Sequence, residues 1–243
     1  MNNLGLHPLT VGPRMRFARR RPSRLVLALQ LALERRLWQW RLSADDTIKR
    51  AFDVFFSGLV LVLIAPLLGA IALIIKLEDG GPVFFRQVRV GRFGREFIML
   101  KFRSMRPDAE ARLRELLAKN EHKTGVTFKI KNDPRVTRIG YWLRKFSLDE
   151  LPQFWNVFRG DMSVVGPRPP VSREVALYTL ADRRRLAVAP GITCLWQIGG
   201  RAAIDFHGQV ELDVRYIESR GFWRDLAIIA KTLPAVLSGN GAY

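Results

Sequence analysis

Residues 49–75 read KRAFDVFFSGLVLVLIAPLLGAIALII, and the 22 residues Val54–Ile75 within this stretch are uncharged. As a single α-helix, such a run reaches about 33 Å, enough to cross the apolar core of a bilayer. Both flanks are basic, because residues 1–50 carry a net charge of +8 and residues 77–243 a net charge of +10. Basic flanks are typical of the cytoplasmic side of a membrane, so the charge pattern places both flanks on that side.

Pro66 divides the apolar run. A proline removes one helical hydrogen bond and bends a helix, and Val54–Ala65 alone reaches only about 18 Å, roughly half of the hydrocarbon core. We therefore predict a re-entrant hairpin over residues 48–77, broken at Pro66, that enters one leaflet and returns. A single-pass anchor remains open, since lipid-embedded helices tolerate proline. A core helix of a soluble protein and a cleaved signal peptide fit the length and the flanks less well.

The region before the apolar run divides into two predicted segments. Residues 1–22 are rich in Arg, Pro and Gly without periodicity, which predicts a disordered basic tail. Residues 23–47 repeat leucine at helical spacing, with arginines beside Trp38 and Trp40. This pattern predicts an amphipathic helix, either lying in the membrane interface or packing on the folded domain.

The net charge indicates the class of partner, and the cysteine and histidine content limits the disulfides and metal sites that this chain can form. The 243 residues carry a net charge of +18, which calls for an anionic partner: nucleic acid, an acidic membrane surface or a phosphorylated substrate. The single cysteine, Cys194, excludes an intrachain disulfide and a cysteine zinc site. The three histidines, His7, His122 and His207, are far apart in sequence and indicate no metal cluster.

For residues 78–243, alternation predicts a small β-hairpin within a mainly helical α+β domain. Two strands, Val83–Val90 and Phe97–Phe102, are joined by the turn residues Gly91–Gly94. Helices are predicted over residues 107–120, 136–146, 173–187, 209–219 and 223–238.

Two adjacent carboxylates, Asp149 and Glu150, stand where a further helix is predicted to begin. Ser147 and Glu150 have the spacing of a capping box, and an acid at Asp149 suits a helix N-terminus, so a purely structural role is one interpretation. The other is chemical, because N–H groups at a helix start and nearby cations bind phosphate and keep a carboxylate ionised and nucleophilic. Basic residues near these two acids in sequence are Arg138, Arg144, Lys145, Arg159 and Arg168.

These residues belong to a longer series of motifs that resembles the bacterial sugar transferase family, the monotopic phosphoglycosyl transferases. The matching segments are Lys49–Asp53, Ala65-Pro66, Gly81–Gln87, Lys101–Met105, Asp133–Arg135, Ser147–Gln153, Gly160–Pro169, Pro190–Thr193, Asp213–Tyr216 and Gly239–Tyr243.

The resemblance implies transfer of a sugar 1-phosphate from a UDP-sugar to undecaprenyl phosphate, with release of UMP. Asp149 would be the nucleophile that holds the sugar phosphate covalently, and Glu150 would help Asp149 to bind Mg²⁺. We expect a plain hexose, galactose or glucose, and a product that starts exopolysaccharide or O-antigen synthesis. The family's large form has several further N-terminal membrane helices and another domain. Residues 1–47 are too short to contain them, so we expect the compact form here.

Five further residues are candidates for substrate binding. Arg168 lies in the Gly166–Pro170 loop, and its planar fork suits phosphate oxygens or a structural ion pair. Lys101 and Arg103 follow a strand and suit either the lipid phosphate or membrane headgroups, while Gln197 and Arg201 are weaker candidates for nucleotide contact. The chain departs from the family at Cys194, where glycine is common after the Pro-Gly-Ile-Thr motif.

The expected location is the bacterial inner membrane, with the catalytic domain 78–243 on the cytoplasmic face and anionic lipids beside the basic flanks. A homodimer is one candidate oligomeric state. Two alternatives are a membrane-tethered nucleic-acid-binding protein, for which the sequence offers no motif beyond its charge, and a non-catalytic scaffold of a glycan assembly machine.

Overall fold

The computed structural model describes residues 24–109, 111, 133–199 and 204–237, with side chains from residue 46 onward. The chain divides into two units, residues 1–44 and residues 45–243. The predicted tail 1–22 lies outside the described residues, as does most of the helix predicted over 107–120. Residues 24–47 are helical, and the interfacial position of the segment 23–47 stays a prediction.

The first element is a long helix, α1 (Arg24–Asp79), which contains Pro66. Its part Asp46–Asp79 is long and apolar enough to cross a membrane, and only 11% of its most apolar window is buried. The predicted break at Pro66 is not observed, because α1 stays helical on both sides of the proline. A proline removes only its own N–H bond and crowds one carbonyl, which a bend of the helix absorbs without ending it.

The predicted β-hairpin of the folded domain is confirmed, whereas the predicted re-entrant membrane hairpin is not observed. Strands β1 (Phe84–Val90) and β2 (Glu96–Phe102) pair antiparallel, with Phe84 opposite Phe102 and Val90 opposite Glu96. A 3₁₀ turn, Arg92–Gly94, joins them, with Phe93 at φ 56° and Gly94 at φ 81°.

The remaining described elements are helices around a second sheet of two parallel strands, β3 (Ser163–Val165) and β4 (Gly191–Thr193). In chain order they are α2 (Arg138–Lys145), a 3₁₀ turn (Leu148–Glu150), α3 (Gln153–Arg159), β3 (Ser163–Val165), α4 (Ser172–Ala176), a 3₁₀ helix (Asp182–Leu186), β4 (Gly191–Thr193), α5 (Leu195–Gly199), α6 (Phe206–Glu218) and α7 (Phe222–Leu237).

The single helix predicted over residues 173–187 is wrong, because this region forms two short pieces, α4 and the 3₁₀ helix Asp182–Leu186. Between them, the backbone N–H and the hydroxyl of Thr179 both donate to Asp182 Oδ2, at 2.9 and 2.8 Å. Threonine and aspartate compete with the helical ladder in this way, so a local turn replaces the middle of the predicted helix.

Both ends of the apolar part of α1 pack against the same folded domain. At its start, Arg50 Nη1 donates to the carbonyl of Val157 at 2.6 Å, and Val164 N–H donates to Asp53 Oδ1 at 3.0 Å. Towards its end, Ile71 and Ile75 are buried in a cluster whose other fully buried members are Phe102 and Leu143. The apolar part of α1 therefore lies along the domain rather than leaving it at one end.

Candidate active site

The acidic pair lies in a sharp turn rather than at the cap of a regular helix. Ser147 adopts the left-handed region, at φ 53° and ψ 23°, and the 3₁₀ turn Leu148–Glu150 follows it directly. No side-chain capping bond forms from Ser147. The capping-box interpretation is therefore wrong, because the backbone turns too tightly there for serine and Glu150 to bond reciprocally.

Strand β2 brings a cation to the acidic pair. Lys101 lies near its end, and its Nζ donates to Glu150 Oε1 at 2.5 Å and lies 4.0 Å from Asp149 Oδ2. The side chains of Lys101, Asp149 and Glu150 are only 17%, 12% and 22% exposed. In such a site, charge interactions are stronger than in water, so one ammonium holds two carboxylates together.

Burial and nearby charges shift the pKa values of the two acids in opposite directions. Burial raises the pKa of Asp149 to about 6, and the neighbouring Glu150 carboxylate adds to this rise, although Lys101 opposes it. Burial disfavours ionised Glu150 too, but Lys101 and Arg168 outweigh it and hold the pKa of Glu150 below its usual range. At neutral pH Asp149 is ionised yet more basic than an ordinary carboxylate, as suits a nucleophile.

Glu150 of the acidic pair lines an open cleft, and Asp149 precedes it in the same 3₁₀ turn. Arg168 reaches the cleft from the loop after β3, with its guanidinium carbon 6.0 Å from the ring centre of Trp196. The loop passes closely over β4, because a Cβ on Gly191 would lie 2.1 Å from Gly166 N. Glycine is thus required at this crossing, which brings Arg168 to the same cleft as Glu150.

Arg89 also lines this cleft, together with the buried Gln153, and motif reasoning did not single out either residue. Gln153 is the last residue of the motif segment Ser147–Gln153, whereas Arg89 lies two residues beyond the segment Gly81–Gln87. The sequence contained a signal for Arg89, because residues two apart in a strand share one face. Arg89 is therefore expected on the same face of the predicted strand as Gln87, which belongs to a motif segment.

The other predicted binding residues do not all line the cleft. Gln197 lines the cleft. Arg103 does not join the acidic pair, because its guanidinium forms an ion pair with Asp79 at the end of α1. Arg201 lies outside the described residues.

Cys194, the departure from the family pattern, is 3% exposed and donates from Sγ to Gln197 Oε1 at 3.2 Å. Burial raises the pKa of its thiol well above the usual value, so the thiol is a neutral donor. The cysteine therefore helps to orient Gln197, one of the residues that line the cleft.

Among the described residues, no group of three or more His, Cys, Asp or Glu side chains is placed to hold a metal ion. The acidic pair offers two adjacent carboxylates, and one of them, Glu150, lines a cleft that also contains cations. Magnesium is commonly held by one or two carboxylates, with the substrate's phosphates and water completing its shell. This donor set fits that mode of binding.

Comparison with known proteins shows the family to which this chain belongs. The family model described as "Bacterial sugar transferase" matches residues 44–239. The chain belongs to the bacterial sugar transferase family. Galactosyl transferase CpsE of Streptococcus agalactiae is 50% identical over 196 residues, covering 80% of this chain and 43% of that protein. The exopolysaccharide production protein ExoY of Rhizobium meliloti is 43% identical over 198 residues, covering 80% of this chain and 88% of that protein.

A Caulobacter vibrioides relative, named UDP-glucose:undecaprenyl-phosphate glucose-1-phosphate transferase, is 39% identical over 82% of this chain and 73% of its own length. The chain thus spans less than half the length of some curated relatives, such as CpsE, and most of others.

In this bacterial sugar transferase, the motif Asp213–Tyr216 is structural. The buried carboxylate of Asp213 pairs with the buried guanidinium of Arg185, and Tyr216 donates its hydroxyl to Asp225 Oδ1 at 2.8 Å. Asp225 also accepts from Lys49 at 2.5 Å. The motif therefore connects α6 and α7 to the start of the apolar helix segment.

Proposed function

We propose that this sugar transferase moves a hexose 1-phosphate from a UDP-sugar to undecaprenyl phosphate and releases UMP. The observation that carries the proposal is the placement of Asp149, a buried carboxylate on a tight turn, 4.0 Å from Lys101 Nζ and without a capping bond from Ser147. Helix caps do not need a desolvated acid beside a lysine, whereas nucleophilic carboxylates benefit from one.

In the first half-reaction, an Asp149 oxygen attacks the β-phosphorus, which bears the sugar. The new acyl phosphate bond forms as the bond from that phosphorus to the bridging oxygen breaks, and UMP leaves with the oxygen. Lys101 and Arg168 supply positive charge where the phosphate oxygens gain charge. When bound, Mg²⁺ held by Asp149 and Glu150 would neutralise the diphosphate.

In the second half-reaction, a phosphate oxygen of undecaprenyl phosphate attacks the same phosphorus. The acyl phosphate bond breaks, Asp149 regains its carboxylate, and the lipid carries the sugar on a diphosphate. The acceptor's tail lies in the bilayer and its phosphate at headgroup level, so the enzyme needs its acidic pair at that height. The apolar helix segment would provide this placement.

The proposed attachment is monotopic, at the cytoplasmic face of the bacterial inner membrane, with both flanks of the apolar segment on one side. Its support is the packing of both helix ends, since Arg50 and Ile75 contact one domain although about 38 Å of helix separates them. A helix that crossed the bilayer would leave one of these ends on the opposite side.

The hexose is proposed as galactose or glucose, and the product as the first lipid-linked unit of an exopolysaccharide or O-antigen. Relatives are named for galactosyl, galactose and glucose transfer. Another relative is named for N-acetylgalactosamine transfer, so an assay must include acetylated sugars.

The test is a two-stage assay on the full chain in detergent with Mg²⁺. Without acceptor, a UDP-sugar labelled in the sugar should label the protein and release UMP in equal amount. Adding undecaprenyl phosphate should move the label into lipid. Protein that stays unlabelled and releases no UMP with any UDP-sugar would refute the proposal and favour a scaffold. A salt-sensitive shift of nucleic acid without turnover would instead favour the binding protein.

A further inference from the structure

The loop that carries Arg168 is held by its proline carbonyls. Three prolines, Pro167, Pro169 and Pro170, flank the arginine and have no N–H to donate. Their carbonyls accept from Gly191 N at 2.8 Å, from Arg89 Nη1 at 2.9 Å and from Val90 N at 2.9 Å, respectively. Two of these three bonds come from the end of strand β1, and one of those two comes from a side chain.

That side chain is itself fixed. Arg89 is 9% exposed, and its Nε and Nη2 donate to Gln87 Oε1 at 3.0 and 2.6 Å. A chain of contacts therefore runs from Gln87 through Arg89 to the carbonyl that follows Arg168. Burial, followed by the neighbouring Arg168, lowers the pKa of Arg89 to about 10, so it stays a cation at neutral pH in a place that disfavours one.

We infer that Arg89 is a positioning residue for Arg168, with Gln87 orienting Arg89. The inference rests on the proposed function, because it assigns a way of holding the phosphate-binding arginine of that same site. Hydrogen bonds from an arginine fix direction as well as distance, so losing this one frees the loop to move. Displacement by about 1 Å of a positioned group is enough to lower turnover severely.

The decisive measurement is a double-mutant cycle on UMP release with Arg89→Gln, Arg168→Ala and the combined variant. If Arg89 acts through Arg168, each single variant lowers kcat/KM at least about tenfold, and the combined variant stays within about threefold of Arg168→Ala. Effects that multiply would overturn the inference, because they would mean that Arg89 contacts substrate directly or only supports the fold.

Three further variants separate position from charge. Arg89→Lys keeps the charge but loses the fork that reaches Gln87 and the Pro169 carbonyl together, so it should not restore activity. Gln87→Ala should lower activity in the wild-type background, but it should cause no further loss when it is added to Arg168→Ala. Arg86→Gln is the matched control, since this exposed arginine lies on the opposite face of β1 and should keep activity within about twofold. Recovery in Arg89→Lys, or an equal loss in Arg86→Gln, would refute positioning.

Hydrogen exchange provides a readout that does not need turnover. The amides of Gly166 and Arg168 should exchange faster in Arg89→Gln than in the wild type or Arg86→Gln, while exchange in α6 stays the same. Unchanged exchange in the loop would overturn the inference. If the wild type releases no UMP, the proposed function fails, and the exchange comparison still decides the role of Arg89.

Discussion

Replacing Asp149 with asparagine should abolish turnover and at the same time stabilise the protein. The change keeps the shape of the side chain but removes the nucleophile and a charge that burial disfavours. Burial raises the pKa of Asp149 from 3.8 to about 6, a difference that corresponds to about 3 kcal/mol in the free energy of unfolding at pH 7.5.

The sign follows from linkage. An acid with a raised pKa destabilises the folded state above that pKa, and the penalty disappears as pH falls through about 6 to 3.8. The stabilisation from Asp149→Asn should therefore shrink from about 3 kcal/mol at pH 7.5 to about 1 kcal/mol at pH 4.5. For a chain of this size, 3 kcal/mol is a rise of about 6 to 12 °C in Tm, taken as an upper value.

The assay is thermal unfolding in detergent at both pH values, beside UMP release. The control is Asp205→Ala, since Asp205 is a true helix cap that accepts from Gly208 N at 2.9 Å. Losing that cap should lower stability by about 1 kcal/mol at pH 7.5 and leave turnover intact. If Asp149→Asn instead lowers Tm at pH 7.5, or keeps substantial turnover, the assignment of Asp149 as a desolvated nucleophile is wrong.

Three other predictions concern the same chain. Glu150→Gln should strongly reduce UMP release, and added Mg²⁺ should partly restore it but should not restore Asp149→Asn; no response to Mg²⁺ would argue against a metal role for Glu150. Lys101→Gln should move the acidic limb of the pH–rate profile upward from about 6, because Lys101 lowers the pKa of Asp149; an unmoved limb would separate the lysine from the nucleophile. Cysteines introduced at Thr10 and at the exposed Arg95 should react with an impermeant reagent only from the cytoplasmic side, and periplasmic labelling at Thr10 would exclude the monotopic attachment.

The membrane element illustrates what local sequence could predict. The uncharged run Val54–Ile75 and its basic flanks predicted an apolar helix, because length and charge depend only on composition. Whether the helix breaks at Pro66 depends on the packing around it, and the helix continues while Arg50 and Ile75 contact one domain. Those contacts join residues that are far apart in the chain, so the periodicity of the sequence does not predict them.

Lys101 and Arg103 show the same division more sharply. Both basic residues stand at the end of a strand that alternation predicted, and sequence reasoning treated them as equivalent. Lys101 lies within β2 and its side chain meets Glu150, whereas Arg103 follows the last residue of β2, Phe102, and its side chain meets Asp79 at the end of α1. Strand periodicity ends with the strand, so only the tertiary structure separated the two cations.

The acidic pair was recognisable from sequence, because Asp149 and Glu150 stand in a motif at fixed spacing. The sequence by itself therefore determined the family, the candidate nucleophile and the apolar helix, because short motifs, their order and the length of an apolar run can all be read along the chain. Tertiary structure decided that Ser147 does not form the predicted cap and that Arg89, 61 positions before Glu150, lines the same cleft as that acid. Burial and long-range contacts set the pKa of Asp149 and the position of Arg168, and these arise only when distant segments pack together.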